Sequence, residues 1–178
     1  MDEMTATTPS PVPAPAGAPA KPKKLTIVMF SGELDKALAC FMLATTAASL
    51  GMDVTIFFTF WGLNVVKPNQ GKAAGKGLRK MLNLMNRGGT KRLKLSKFHM
   101  MGAGTAMIKG LMTDINMPSL DEMISMAKEM GVRFVACTTS CGLMGIAEGD
   151  LRKDLIDSWV GAATYLAEAA DSEVNLFI

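Results

Sequence analysis

The chain has 178 residues, a formal net charge of +3 and 49% hydrophobic residues, the size and balance of one globular core and not of a fibrous or wholly disordered chain. Three cysteines, an odd number, argue against a fully paired secreted disulfide framework and for a reducing, cytoplasmic setting. The longest uncharged apolar stretches, Ala37 to Met52 and Val54 to Val66, are shorter than the ~18 residues that mark a membrane span, so no crossing is expected; only Asp53 separates them, which leaves membrane association open.

Six of the eight prolines precede Lys23, interleaved with Ala, Thr and Ser, so residues 1–24 cannot bury a core and are expected to form a disordered tail. Asp2 and Glu3 stand where a secretion signal would carry basic residues, and no apolar core of such a signal follows. The ordered part is expected to be a single domain over residues 25–178.

Leu25 to Phe30 (LTIVMF) is a continuous apolar run, as in a strand buried on both faces of a parallel sheet. After Ser31-Gly32, the Ala-, Leu- and Met-rich stretch from Glu33 to Gly51 opens with acids and closes on glycine, which predicts a helix with a C-cap. Asp53 to Phe58 (DVTIFF) is a second buried strand, completing a βαβ unit. The middle, Gly62 to Met117, is less regular, with helices expected near Leu78 to Asn86 and Thr105 to Ile115 and a mobile Gly/Lys-rich stretch around Asn69 to Gly77. From Lys67 to Lys97 there are ten Lys or Arg residues and no Asp or Glu. Such a run is either a solvated face or a docking surface for an acidic partner. Nucleic acid is not expected, because aromatic stacking residues and a reading motif are missing from the same segment.

Ser119-Leu120-Asp121-Glu122 reads as a capping box, and Leu120, Met123, Ile124, Ala127 and Met130 recur at helical spacing up to Gly131. Val132 to Cys137 then forms a third buried strand. A short strand at Ser158 to Val160, a helix from Ala162 to Ala170 and a last strand from Val174 to Ile178 complete the pattern. Five strands alternating with helices predict an α/β, three-layer, flavodoxin-like fold with a mainly parallel five-stranded sheet in the order 2-1-3-4-5.

Such a sheet binds its ligand beyond the carboxyl ends of its strands. With that order the crevice lies between the first and third strands, walled by Ser31-Gly32-Glu33 and by Cys137 to Gly142 (CTTSCG). Cys137 is then either a thiol activated by nearby backbone N–H groups or a small apolar residue ending a strand; both readings stand. Glu33 and Asp35 read as first-turn acids that answer the helix dipole. Cys40, in mid-helix, reads as packing. No metal site is expected: no second cysteine or histidine pair accompanies Cys137 and Cys141, and His99 is the sole histidine. The same scarcity argues against a His-dependent hydrolase, and no nucleotide-binding glycine pattern occurs. No cofactor is expected, although flavin at the sheet edge lacks a motif that would test for it.

The stretches SGELDKALACFMLATTAASLGMDVTIFFTFWGL, KLSKFHMMGAGTAMIKGLM, ACTTSCGLMGI and VGAATYLAEAADSEVNLFI resemble the DsrE/DsrF-like sulfur-transfer family, in particular its DsrE-like peroxiredoxin-family branch, over residues 25–178. The resemblance implies a flavodoxin-like fold, homo-oligomers, and sulfur held as a persulfide on one cysteine, which falls on Cys137. Cys141 is either a second sulfur-handling thiol or a variable position. It further implies a cytoplasmic sulfur carrier or sulfurtransferase with TusA-like or rhodanese relay partners; Cys137 and Cys141 would be its thiols, and the crevice walls would set Ser31, Gly32, Thr138 and Gly142 around the substrate. Two other readings remain: a thiol-disulfide protein using Cys137 and Cys141, and a non-catalytic assembly subunit. The disulfide needs the stretch between its cysteines to make a helical turn, which brings the α-carbons to about 6 Å. The donor, the acceptor and the oligomer size are not legible.

Overall fold

The computed structural model describes residues 22–69, Gly77, Met81 and residues 86–178. Nearly all of the Pro/Ala-rich tail, most of the helix expected over 78–86 and most of the Gly/Lys-rich stretch lie outside the described residues.

β1 (Lys24–Met29), β2 (Asp53–Phe58), β3 (Arg133–Cys137), β4 (Ser158–Val160) and β5 (Val174–Phe177) form one sheet. All its pairings are parallel. The helices are α1 (Leu34–Ser49), α2 (Ala103–Asp114), α3 (Leu120–Glu129), α4 (Thr138–Met144) and α5 (Ala162–Ala170). This is the expected three-layer α/β fold of flavodoxin-like type. The Ser119–Glu122 capping box is present with both of its reciprocal contacts, and it sets the start of α3 where the sequence pattern placed it.

The strand order is β4-β3-β2-β1-β5 and not 2-1-3-4-5. Its cause lies in the helices. Phe41 and Ala44 of α1 share one core with Met123, Ile124 and Ala127 of α3, so the crossovers carrying these two helices run over the same face of the sheet. Right-handed crossovers on one face must step in one direction, which sets β2 between β1 and β3. The centre of this core is a cluster of rings: Phe134 stands 5.6 Å from Phe41 and 5.4 Å from Phe58 between centroids.

The chain returns from β4 to β5 over the other face, and α5 is the helix that packs there. Tyr165 of α5 stacks on Phe57 at 4.6 Å, and with Val135 and Cys137 they make a second, smaller apolar cluster. The period-2 alternation of the strands separates the two clusters: Phe134 and Ala136 face the main core, while Val135 and Cys137 face α5.

Candidate functional site

Cys137 ends β3 and is the residue from which α4 starts, with extended backbone angles (φ −74, ψ 114). The expected loop over residues 138–142 is therefore a helix, closed by Gly145 in the left-handed region (φ 66). In the register of β2 against β3, Phe58 pairs with Ala136, which sets Thr59 beside Cys137. Alternation puts both on the α5 side of the sheet. Thr59 is fixed by its N–H, which donates to the Met29 carbonyl at 3.1 Å.

The Thr59 and Ser140 hydroxyls lie 2.7 Å apart and both are buried. Four groups that can donate surround the Cys137 sulfur, the hydroxyl and the N–H of Ser140, the hydroxyl of Thr59 and the N–H of Thr139, and the two hydroxyls share one of their two protons between their own oxygens. Burial opposes ionisation of this thiol and is the largest single influence; the four donors together outweigh it and hold the thiol below its usual range. Cys137 is 4% exposed, at the carboxyl end of β3. The site thus favours an anion on sulfur at the surface end of β3.

Cys141, one turn further, is its opposite. Its side chain lies in the main core. Burial, and then the charge of Cys137, push its thiol up to about 12, against the pull of Lys67. Cys141 is therefore a protonated thiol at neutral pH. Lys67 is itself buried, and its ammonium donates to the Asn86 carbonyl at 3.2 Å. Burial lowers its pKa, with Asp150 and Cys141 acting in the other direction. Cys40, fully buried in α1, is likewise pushed up to about 12 by burial, in keeping with a packing role.

The other expected site residues fall in two places. Thr138 is at the mouth, where its hydroxyl donates to the Val160 carbonyl at 3.3 Å and ties α4 to the end of β4. Gly142 is exposed on α4, and a β-carbon there would meet nothing within 4 Å. Ser31 and Gly32 follow β1, and β2 intervenes between them and Cys137, so the crevice expected between the first and third strands is filled by β2. Two strand spacings of about 4.8 Å separate the ends of β1 and β3. Gly32 packs instead against the turn at Phe60–Asn64, where a β-carbon would come 2.7 Å from the Trp61 carbonyl oxygen. The Ser31 hydroxyl receives Lys36 at 3.2 Å. Thr59 takes the place expected for them, and Lys67 was likewise not singled out. The signal for Thr59 was the first polar residue after the apolar run DVTIFF, at the strand end where this fold class binds ligands.

Among the described residues no group of three or more His, Cys, Asp or Glu side chains lies together to hold a metal ion. His99 Nδ1 lies 3.0 Å from Thr105 Oγ1 of α2, six residues on.

A model of the DsrE/DsrF/DrsH-like family matches residues 21–177. The chain belongs to this family. It is 43% identical to the uncharacterized protein YrkE of Bacillus subtilis (strain 168), over 88% of this chain and 97% of that protein. It is 30% identical to the sulfur carrier protein DsrE2 of Allochromatium vinosum, over 88% of this chain and 98% of that one. A crystal structure of the ychN protein from E. coli aligns with a TM-score of 0.47 at 14% identity, covering 88% of this chain and 99% of that one.

Proposed function

We propose that the protein is a sulfur carrier that holds sulfane sulfur as a persulfide on Cys137 and passes it between partner proteins. The observation that carries this reading is the place of Cys137 at the end of β3 and the start of α4, beside the buried Thr59–Ser140 hydroxyl pair, whose donors with the Thr139 and Ser140 N–H groups lower its pKa. The relative named as a sulfur carrier, at 30% identity over nearly its whole length, supports the same role.

The chemistry is thiol exchange at sulfur. The Cys137 thiolate attacks the outer sulfur of a donor persulfide R–S–SH. A bond forms between Cys137 Sγ and that sulfur, the donor S–S bond breaks, and RS⁻ leaves; the product is Cys137–S–SH. An acceptor thiolate attacks the same terminal sulfur in the second half, and Cys137 leaves as the thiolate. Each half conserves charge and oxidation state, and the hydroxyls of Thr59 and Ser140 and the two N–H groups stabilise the anion at both ends of the exchange. Thr138 and Gly142 border the path by which the partner's sulfur arrives.

The thiol-disulfide reading is less well supported, because Cys137 and Cys141 pack in different apolar clusters and Cys141 is held protonated. Three free cysteines suit a reducing cytoplasm. No helix among the described residues is long and apolar enough to cross a membrane. A homo-oligomer is supported by the exposed apolar side chains of the α5 face, where the rings of Phe30 and Phe177 lie tilted 5.6 Å apart and Phe177 and Leu166 are exposed. Relay partners of TusA-like or rhodanese type would supply or take the sulfur.

The test is intact mass and peptide mapping after incubation with cysteine persulfide. One sulfur gained on the Cys137 peptide and removed by dithiothreitol is the expected result; full loading of Cys137→Ser would refute the assignment. A loss of two hydrogens joining Cys137 to Cys141 would favour the disulfide reading instead.

A further inference from the structure

The segment from Arg87 to Ile115 carries features that the thiol chemistry leaves unused. Three of its residues other than glycine occupy the left-handed region, Phe98 (φ 55), Met100 (φ 41) and Met101 (φ 55), a conformation unfavourable for L-residues. The turn they make is held closely: a β-carbon on Gly104 would stand 1.8 Å from the Phe98 carbonyl oxygen. All three side chains are large, apolar and exposed. α2 extends the same display, with Met107 and Leu111 exposed one turn apart and Gly110 beside them, where a β-carbon would meet nothing within 4 Å. The opposite side of α2 is buried at Thr105 and Met112. A helix apolar on both sides is ordinarily covered on both.

The same segment carries Arg87, Lys91, Arg92, Lys94, Lys97 and Lys109, all exposed, and the stretch 87–113 contains no Asp or Glu. None of the six appears in an ion pair among the described residues. The segment is also fixed at the thiol's edge of the sheet. Leu34 N–H donates to the Lys94 carbonyl at 2.8 Å, and the N–H of Ser96 donates to Asp35 at 3.0 Å. These contacts seat it on the first turn of α1, which opens at the carboxyl end of β1, the same edge at which Cys137 ends β3.

We propose that this face docks an acidic partner protein, one that presents apolar side chains flanked by carboxylates, and holds it while sulfur passes at Cys137. Charge selects the occupant. A second copy meeting this face about a two-fold axis would set cations against cations. A nucleic acid would leave Phe98, Met101 and Leu111 facing phosphate. An acidic, apolar protein surface satisfies both the uncompensated cations and the exposed apolar side chains. The inference rests on the carrier reading above, and its test separates the two.

The probe is a synthetic amphipathic peptide with one leucine face, one glutamate face and a terminal cysteine persulfide, together with a twin carrying glutamine for glutamate. Sulfur loading on Cys137 is followed by mass, and binding by fluorescence anisotropy of the labelled peptide. Free cysteine persulfide, too small to need docking, is the control donor. Wild type is expected to accept sulfur from the acidic peptide about tenfold faster than from its twin at low salt, with the gap closing as salt rises. Lys94→Glu with Lys97→Glu, and separately Leu111→Glu, should each lose that advantage while loading from cysteine persulfide at the wild-type rate. The docking inference is overturned if the variants take sulfur from the acidic peptide as fast as wild type, or if they slow equally with both donors. It is also overturned if the face binds phosphatidylglycerol vesicles in preference to the peptide. If no donor loads Cys137, the carrier reading falls, and anisotropy decides the docking face alone: charge-dependent binding lost in the variants sustains it, and charge-independent binding removes it.

Discussion

Ser140→Ala tests the anion site most directly. The Ser140 hydroxyl is one of the groups that lower the Cys137 pKa and lies 2.7 Å from the Thr59 hydroxyl, its partner in the buried pair. A hydrogen bond to a charged group contributes about 1.5 kcal/mol at the low end. Since one pKa unit corresponds to about 1.36 kcal/mol, removal should raise the Cys137 pKa by about one unit. The sign follows from the site: the donors stabilise the thiolate, so their loss favours the thiol. Below both pKa values the thiolate fraction, and with it the alkylation rate, should fall about tenfold. Above both, the rates should coincide. The two hydroxyls carry two protons between them, and in the variant Thr59 can send its proton to the sulfur, so the single change gives a lower bound. Adding Thr59→Val should raise the pKa further, by an amount that is not the sum of the separate effects. The assay is the pH dependence of iodoacetamide alkylation at the Cys137 peptide. An unchanged midpoint, with a lower plateau at high pH, would show that Ser140 governs access and not ionisation, and would refute the reasoning.

Burial of Cys40 gives a pH effect of defined direction. Its folded pKa is raised to about 12, so the stability it contributes is full below the unfolded value of about 8.5 and is lost as pH rises toward 12. Thermal unfolding between pH 8 and 11 should show wild type losing Tm more steeply than Cys40→Ala; equal slopes would contradict this. Gly62→Ala should be among the most damaging single changes, because its β-carbon would lie 1.9 Å from the Met29 carbonyl oxygen, a backbone atom that cannot step aside. A loss of about 3 kcal/mol or more in urea unfolding is expected, and a loss under 1 kcal/mol would mean the turn after β2 adapts. Cys141→Ala should keep sulfur loading within about twofold of wild type while costing about 1 kcal/mol of stability as a small core deletion. Loss of loading in a folded Cys141→Ala protein would make the second thiol part of the relay.

The layers of this fold were legible because its strands are short apolar runs bounded by glycine or polar residues, and its helices carry caps readable in the sequence, as at Ser119–Glu122. β2, β4 and α5 fall on the residues expected of them. Strand order was not legible, because it depends on which face each helix covers, and that is settled by contacts such as Phe41 with Phe134 that no local pattern encodes. The error propagated to the site. An order with β1 beside β3 sets Ser31 and Gly32 against Cys137; with β2 between them, the neighbour is Thr59. The helix at Thr138–Met144 was hidden by Gly142 and by two threonines and a serine, residues weak in helix interiors but acceptable in a short first turn.

The two thiols show how a separation of four residues can mislead. In a continuous helix, residues i and i+4 share a face and their side chains meet. Here Cys137 has extended backbone angles, so the pleat of β3 aims its sulfur toward α5, while the rotation of α4 carries Cys141 into the main core. The boundary between strand and helix falls between the cysteines and assigns each the environment of a different element. One sulfur meets hydroxyls and N–H groups that lower its pKa; the other meets apolar side chains and keeps its proton. A thiolate formed at Cys137 further raises the cost of a second charge at Cys141, so the pair holds one anion at a time. In the proposed exchange, a Cys141 that keeps its proton would not compete as a second nucleophile for the carried sulfur.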